Sequence, residues 1–315
     1  MEQKLTPQQL KEFIGVLDEF EKYRNMTAEE KELIVRDIME RPYMDLRCDW
    51  AFKHVFQNPE LLRMLLDDFL PEDIASVSLL PNEIDRIGPE DKNIVMDVIC
   101  KTPDGKEFIV EMQRQDKDSF KNRMFYYGAS MVHGQLIKGG KYSSIKPVYV
   151  ICFMDYTLPH ETNQLVYRYQ MLEEDSGELF GQQLSIYLCE LPRLETPSMR
   201  GLSPIESWFY ILKNMRNFAG KPEDLGSRYA PVAKASRMRK LPSLEQLQYM
   251  RNMITEEEKL DLIRPAYRKG FAEGEEKGIV KGKMDDAKKM LELNLPVETI
   301  IQVTGLSINT IEKLK

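Results

Sequence analysis

Residues 93–113 have the sequence NIVMDVICKTPDGKEFIVEMQ. The segments 93–102 and 107–113 are rich in β-branched residues and alternate in polarity, which predicts two strands. Between them, residues 102–105 (TPDG) have proline second and glycine fourth, as in a type I turn, and the glycine suits a three-residue loop that closes with a bulge. The stretch therefore predicts a β-hairpin.

The length of the hairpin loop determines which residues of the two strands lie opposite each other. A loop of two residues would shift the register by one and would separate the two acids of the hairpin, Asp97 and Glu111. With residues 103–105 as the loop, the opposite pairs are Thr102 and Lys106, Ile99 and Ile109, Asp97 and Glu111, and Val95 and Gln113.

Two carboxylates directly opposite each other on one face of a hairpin have Cβ atoms about 5 Å apart. The neighbours Val95, Ile99 and Ile109 are apolar, so we expect this face to be covered. Like charges that also lose water are costly unless a positive charge lies between them. Oxygen ligands suit Mg²⁺ or Mn²⁺, which is one interpretation of the pair. The alternative is a hairpin at a sheet edge with both acids in solvent.

Helical and strand patterns alternate on both sides of this hairpin. Further strands are predicted at residues 76–80, 147–154, 165–172 and 183–188. Helices are predicted at residues 7–41, 49–70, 118–137 and 204–217. Strands flanked by helices predict an α/β core. We divide the chain into an N-terminal helical extension (1–44), a core (45–217), a basic, loop-rich connector (218–255), a long helix with a glycine stripe (256–295) and a helix-turn-helix-like tail (296–315).

The composition is that of an ordinary globular protein, with 42% hydrophobic and 30% charged residues among 315. No apolar run approaches the roughly 20 residues of a membrane span, and the polar N-terminus does not predict a signal peptide. The four cysteines stand apart, with no C-x-x-C pair, which favours reduced thiols and a cytoplasmic location.

The net charge of −7 argues weakly against a protein whose whole surface binds nucleic acid, but two stretches are basic. Residues 114–146 contain seven basic residues against two acidic ones, and residues 228–251 contain six against one. Each stretch could contact DNA phosphates or could simply be a solvated face.

The order of these segments resembles the PD-(D/E)XK nuclease core and, more narrowly, the Rpn-type PD-(D/E)XK nuclease family transposases, the recombination-promoting nucleases of bacteria. The likeness runs from about residue 45 to residue 285. The matching pieces are residues 49–56 (DWAFKHVF), 96–98 (MDV), 110–113 (VEMQ), the pair Arg123 and Tyr127, and 147–151 (PVYVI).

The resemblance implies a restriction-endonuclease-like α/β fold, a mixed sheet flanked by helices, with helical N-terminal and C-terminal extensions. It implies that Asp97 and Glu111 hold Mg²⁺ or Mn²⁺, with the main-chain carbonyl of Met112. Gln113 stands where the wider superfamily has a lysine, and glutamine is neutral, so it can orient groups but cannot supply charge. Asp49 would orient water or a second metal ion. Its alternative role is the N-cap of a helix that starts at Trp50.

Three further residues are candidates for DNA binding under this resemblance. Lys53 would contact a phosphate, although a solvated helix lysine is the alternative. Arg123 and Tyr127 lie four residues apart on the helix that follows the hairpin and could face the cleft.

The C-terminal region carries two patterns of its own. Gly270, Gly274, Gly278 and Gly282 form a stripe that could let the same helix of a second subunit approach, which predicts a homodimer, or it is a repeat without a role. In residues 296–315, Gly305 and Ser307 separate two short helical segments, with a core of Ile300, Ile301, Leu306, Ile311 and Leu314. Such a pattern occurs in DNA-reading motifs and in helical hairpins that never bind DNA.

We derive two main functional hypotheses. The first is a metal-dependent DNA endonuclease associated with recombination or mobile elements. The second is a DNA-binding or assembly protein with a weak or inactive nuclease core, which an Asp97 side chain turned away from Glu111 would favour. A third, a purely structural interaction protein, rests only on the acidic balance and the glycine stripe.

Overall fold

The computed structural model describes residues 4–70, 73–84, 94–115, 119–136, 139–293 and 295–314, without the side chains of residues 260–280 and 309. Contacts divide the chain into two compact units, Met1–Thr255 and Glu256–Lys315. The predicted element ends at Asn93, Asp118 and Ile137 lie outside the described residues, as do the basic residues Lys117 and Lys138.

The first unit contains a mixed six-stranded sheet with helices on both sides. Its strands, with the separate pair β2 and β3, are β1 (Ser78–Leu80), β2 (Glu83–Ile84), β3 (Ile94–Val95), β4 (Val98–Lys101), β5 (Glu107–Gln113), β6 (Val148–Met154), β7 (Val166–Tyr169) and β8 (Leu184–Glu190). The order in the sheet is β1-β4-β5-β6-β8-β7. The β5–β6 and β6–β8 pairs are parallel and the others are antiparallel. The predicted α/β class with a mixed sheet is thereby confirmed.

Helices precede, interrupt and follow the strands. They are α1 (Pro7–Asp18), α2 (Glu21–Arg24), α3 (Ala28–Met39), α4 (Asp49–Phe56), α5 (Pro59–Phe69), α6 (Phe120–Gly134), α7 (Pro204–Asn214), α8 (Gly226–Ala235), α9 (Ser243–Glu292), α10 (Val297–Thr304) and α11 (Ile308–Glu312).

Both faces of the sheet are covered, because alternate residues of β5 join different clusters. Phe108 and Val110 pack with α4, α5 and α7, in a cluster that includes Phe52 and Trp208. Ile109 packs with α6 on the other face. Strand β6 is buried along its whole length, as its continuous apolar run predicts. The hairpin predicted at residues 93–113 contributes β4 and β5, which lie in the middle of the sheet between β1 and β6.

The hairpin register agrees with the prediction around the turn. Ile99 lies opposite Ile109, and the Thr102 N–H donates to the Lys106 carbonyl at 2.9 Å. Gly105 has φ +93°, the left-handed conformation that the bulged loop requires.

The predicted pairing of Val95 with Gln113 is wrong. Val95 instead pairs with Glu83 in the separate β2–β3 ladder, and it is 47% exposed. The Asp97 N–H donates to the Glu111 side chain rather than to a carbonyl of β5, so the β4–β5 ladder ends there and the chain turns away. The single predicted strand is therefore two strands, β3 and β4.

Two other elements differ from the sequence prediction. The helix predicted over residues 49–70 is divided, because Pro59 starts α5 and Asn58 caps it through hydrogen bonds from two backbone N–H groups. The connector at residues 218–255, predicted to be rich in loops, contains α8, whose Val232 and Ala233 are buried in the core. Burial of these residues outweighs the weak helical pattern around Pro231.

The second unit ends in the helices α10 and α11. Gly305 has φ +68° and terminates α10, and the Ser307 side chain accepts the Thr310 N–H. Ile300 and Ile311 are buried in a small core, with Ile301, Leu306 and Leu314 packed against it. The surroundings of Gly270, Gly274 and Gly278 lie outside the described residues, and the predicted domain bounds stay a prediction.

Candidate active site

Asp97 and Glu111 come together through reciprocal hydrogen bonds to the backbone. The Asp97 N–H donates to Glu111 Oε1 at 3.0 Å, and the Met112 N–H donates to Asp97 Oδ2 at 2.8 Å. Asp97 is 8% exposed and Glu111 is 2% exposed. The carboxylates therefore form a buried pair, and the alternative of two acids in solvent is wrong.

Lys53 on α4 brings a positive charge to this pair. Its Nζ lies 3.1 Å from Asp97 Oδ1 and 2.9 Å from Asp49 Oδ1. Asp49 and Lys53 are four residues apart, so both side chains lie on the same side of α4. The alternative of a solvated lysine is wrong, because Lys53 is in contact with a buried acid. The alternative of Asp49 as an N-cap is also wrong, because Cys48 is the N-cap and Asp49 lies in the first turn.

Gln113 and Arg123 extend the site on the other side of Glu111. Gln113 Nε2 donates to Glu111 Oε2 at 2.9 Å, and Arg123 Nη2 donates to Gln113 Oε1 at 2.6 Å. The glutamine thus connects the buried acid to a guanidinium on α6. From the sequence, Arg123 was a candidate only for DNA contact. Its hydrogen bond to Gln113 could not be predicted, because nothing local in the sequence links residues 113 and 123.

A protein-family model matches the part of the chain that contains this site. The model of the family described as PD-(D/E)XK nuclease family transposase matches residues 46–264. The chain belongs to this family. The match includes every candidate site residue of the PD-(D/E)XK core, from Asp49 to Tyr127, and it confirms the resemblance inferred from the sequence. No curated protein and no solved structure matched the chain.

In this PD-(D/E)XK site, burial dominates the titration of the acids. Burial raises the pKa of Asp97 well above its ordinary value, and the charge of Glu111 raises it further. Burial raises the pKa of Glu111 to about 7, against the opposing effect of the hydrogen bond from the Asp97 N–H. Burial lowers the pKa of Lys53, but the carboxylates of Asp97 and Asp49 more than offset this, so the net shift is upward. The site holds more negative charge than Lys53 alone neutralises.

The donor set fits a divalent cation that prefers oxygen. Asp97 and Glu111 are the carboxylates that the hairpin brings together, and they could serve as its side-chain ligands. Among the described residues, no three His, Cys, Asp or Glu side chains are grouped to hold a metal ion. In a strand the N–H and C=O of one residue point to the same edge, so the Met112 carbonyl points to the edge where its N–H meets Asp97. Mg²⁺ is usually held by one or two carboxylates, with water and substrate phosphates completing its shell.

Tyr127 lies one helical turn after Arg123 on α6. It is half-buried and packs against the hydrophobic cluster that α6 forms with Ile109 and its neighbours on the sheet. Burial raises the pKa of its hydroxyl, and the negative charge of Glu111 contributes to the rise.

A second buried cluster supports the site from the loop before α4. Arg47 Nε and Nη2 each lie 2.9 Å from a carboxylate oxygen of Asp45, and Nη1 lies 3.2 Å from Asp155 Oδ2. The Asp155 N–H donates to the Gln113 carbonyl at 2.9 Å. This cluster fixes the chain that leads to Asp49 against the end of β5. The alternating charges Asp45, Arg47 and Asp49 were the available signal, and sequence reasoning did not use it.

The basic stretch at residues 228–251 is partly neutralised by ion pairs with carboxylates of the same chain. Arg228 pairs with Asp68 at 2.5 Å, Lys234 with Glu223 at 3.0 Å and Arg251 with Glu19 at 2.6 Å. Half of the six basic residues at 228–251 therefore already have carboxylate partners.

The raised pKa of Glu111 predicts how the metal-free protein responds to pH. Between its ordinary value of 4.5 and about 7, the folded protein holds a proton that the unfolded chain has released. The free energy of unfolding therefore falls as pH rises through this window. Glu111→Gln is expected to reduce that fall, the remainder coming from Asp97, and to stabilise the metal-free protein at pH 8 by about 1–3 kcal/mol. Urea unfolding in EDTA at pH 5 and pH 8 measures the free energy of unfolding of the wild type and of Glu111→Gln.

The exposed Glu161 provides a matched control for this pH experiment. Glu161→Gln should leave the difference between the two pH values unchanged. A difference between wild type and Glu111→Gln that does not vary with pH would contradict the raised pKa.

Proposed function

We propose that this protein is a metal-dependent DNA endonuclease that hydrolyses phosphodiester bonds, with Mg²⁺ or Mn²⁺ as its cofactor, and that it acts in recombination or on mobile elements. Membership of the PD-(D/E)XK nuclease family transposases supports a nuclease linked to transposition. The metal, the DNA substrate and the endonucleolytic mode are our proposal.

One observation carries the proposal: two buried acids are held opposite each other, with a lysine on one side and a glutamine–arginine chain on the other. Buried like charges destabilise a fold unless a cation joins them. The arrangement is therefore more readily explained by catalysis than by stability.

Each residue of the site has a distinct role in the proposed reaction. The chemistry that a divalent cation supplies when bound there is polarisation of the phosphoryl oxygens and acidification of water. Asp97 and Glu111 would hold the cation, and Asp49 would orient water through its position beside Lys53 and Asp97. Lys53 and Arg123 bring positive charge to the developing charge on the phosphate. Gln113 fixes Glu111 and Arg123 relative to each other.

The second hypothesis, a DNA-binding protein with a weak or inactive core, would be favoured by an Asp97 side chain turned away from Glu111. The Asp97 carboxylate instead accepts the Met112 N–H at 2.8 Å, immediately beside Glu111. This orientation supports an active nuclease.

The direct test is incubation with supercoiled plasmid in Mg²⁺, Mn²⁺ or EDTA. Nicked and linear products are expected with either metal ion and not with EDTA. A linear duplex, a single strand and a branched duplex as parallel substrates would establish the form of DNA that is cut. DNA binding without cleavage in either metal ion would support the second hypothesis instead.

The affinity for DNA should fall as the salt concentration rises, because basic side chains near the acids would contact DNA phosphates. Lys53 and Arg123 are part of the site, and the exposed Lys121 lies two residues before Arg123 on α6; these three are the candidates. Three phosphate contacts predict that log affinity falls against log salt with a slope of about −3, measured in Ca²⁺ to prevent cleavage. Lys121→Gln should reduce the slope by about one, whereas Arg228→Gln, already paired with Asp68, should not. A slope near zero would exclude DNA as the ligand.

We also propose a homodimer through the C-terminal helix. A Cβ built on Gly282 would meet no atom within 4 Å, which leaves room for a second backbone. Replacing the four glycines at 270, 274, 278 and 282 by alanine is expected to weaken the dimer, although alanine favours helix formation. Sedimentation analysis at micromolar concentration measures this. A wild-type monomer, or an alanine variant that dimerises unchanged, would exclude the glycine interface.

We place the reaction in the cytoplasm, which is supported by four buried cysteines that form no disulfide with one another. Among the described residues, no helix is both long enough and apolar enough to cross a membrane.

A further inference from the structure

A cavity of about 360 Å³ lies beside the N-terminal helices, and neither Asp97 nor Glu111 lines it. Residues from α1, from the end of α3 and from the segments 219–221 and 237–246 form its walls. Its volume is within the range of about 300–1,000 Å³ that small-molecule sites occupy. The cavity is therefore large enough for a ligand and separate from the nuclease site.

The charge around this cavity is positive, in a chain whose net charge is −7. Four basic residues line it, Arg41, Lys221, Arg237 and Arg239, against one acid, Glu40. The Glu40 carboxylate already has partners outside this set, because it accepts the Leu5 N–H at 3.1 Å and pairs with Arg36. Arg41 is also paired, with Asp37 at 2.5 Å, so anion binding in the cavity would depend chiefly on Lys221 and Arg237.

Arg237 is the most informative of these residues. Its backbone is held by a bridge to Tyr43, and the adjacent Met238 N–H donates to the Pro42 carbonyl at 3.2 Å. Its side chain is half-buried and lines the cavity. The positive charge of Arg237 contributes to the lowered pKa of Glu223, but no ion pair within 4 Å joins Arg237 to a carboxylate among the described residues. By contrast, Arg228 and Lys234 of the same basic stretch have carboxylate partners. A half-buried guanidinium without a carboxylate is available for bidentate binding of a phosphate.

The rest of the wall suits the remainder of a nucleotide. Leu5, Met39 and Met238 provide apolar surface, and the side-chain amides of Gln9 and Gln246 can donate and accept hydrogen bonds. We propose that this cavity binds a phosphate-bearing ligand of nucleotide size, supplied either by a free nucleotide or by a nucleic-acid strand. This site goes beyond the proposed nuclease activity and does not depend on it.

The test uses the full-length protein in EDTA, so that cleavage plays no part. Isothermal titration calorimetry compares thymidine 5′-monophosphate, thymidine, inorganic phosphate and a short oligothymidylate. The two nucleotide ligands with phosphate should bind, and thymidine should bind at least about tenfold more weakly than its monophosphate if the phosphate is the recognised group.

Variants connect that binding to the cavity. Arg237→Gln is expected to weaken binding about tenfold or more. Lys221 is exposed, so Lys221→Gln should weaken binding without affecting the fold, which keeps the test valid if Arg237→Gln unfolds. Lys240→Gln is the matched control, because Lys240 lies in the same stretch and is exposed but does not line the cavity.

The outcomes separate the two sources of phosphate. Weaker binding of the monophosphate by Arg237→Gln or Lys221→Gln supports a free nucleotide, and weaker binding of the oligothymidylate alone supports a strand phosphate. No binding of either ligand, or equal binding by wild type and both cavity variants, overturns the proposal. If the protein shows no nuclease activity but binds the ligand in a manner that depends on Arg237, the proposed nuclease function fails and the proposal for this cavity does not.

Discussion

Asp97→Ala and Glu111→Ala are each expected to lower plasmid cleavage by about 10³-fold or more, because each removes half of the side-chain ligands proposed for the cation. Asp97→Asn is the sharper variant, since the amide oxygen can still accept the Met112 N–H while the negative charge is lost. It should fold normally, fail to bind Mn²⁺ in calorimetry, and fail to cut DNA.

The control for these acids is an exposed carboxylate away from the site. Asp175→Ala lies in the loop between β7 and β8 and should cleave at the wild-type rate. Circular dichroism establishes that each variant is folded. Metal-dependent cleavage that survives Asp97→Asn or Glu111→Ala at full rate would falsify the assignment of the acid pair.

Gln113→Leu is expected to reduce cleavage about 10–100-fold, because leucine can neither donate to Glu111 nor accept from Arg123. The Arg123 guanidinium would lose the acceptor at 2.6 Å, and its Nε already has no hydrogen-bond partner among the described residues. The free energy of unfolding should also fall, by about 1–3 kcal/mol, as a buried charged donor is left unsatisfied.

Gln113→Lys separates charge from orientation at the same position. A lysine there places an ammonium beside Glu111 and should preserve or raise cleavage. It also faces the Arg123 guanidinium, so the double variant Gln113→Lys with Arg123→Gln should be at least as active as the single one. Equal rates for wild type and Gln113→Leu would mean that the side chain at 113 has only a structural role.

Much of the hairpin could be predicted from residues 93–113 alone. The Pro-Asp-Gly turn determines the loop length, the loop length determines the register, and the register places Asp97 opposite Glu111. The predicted pairing failed beyond the end of the β4–β5 ladder, where Val95 pairs with Glu83 instead of Gln113, because a side chain rather than a carbonyl accepts the Asp97 N–H. A prediction based on backbone hydrogen bonding alone cannot show that the Glu111 side chain replaces a backbone carbonyl as the acceptor.

The positive half of the site was not predictable in the same way. Lys53 is 44 residues before Asp97 in the chain, and the helical pattern of α4 is equally compatible with a solvated lysine. Likewise, Arg228 and Arg251 belong to a stretch that the sequence indicated as basic, yet each has a carboxylate from a distant segment, Asp68 and Glu19, within ion-pair distance.

The sequence by itself determined the α/β class, the hairpin and the opposition of its two acids, because these depend on side-chain periodicity and on turn chemistry within some twenty residues. The tertiary structure alone decided which cations neutralise those acids, how Gln113 connects Glu111 to Arg123, and that Arg41 and Arg237 line one cavity. The physical reason is that an ion pair depends on where two distant segments pack, and packing is a property of the whole core rather than of any one stretch.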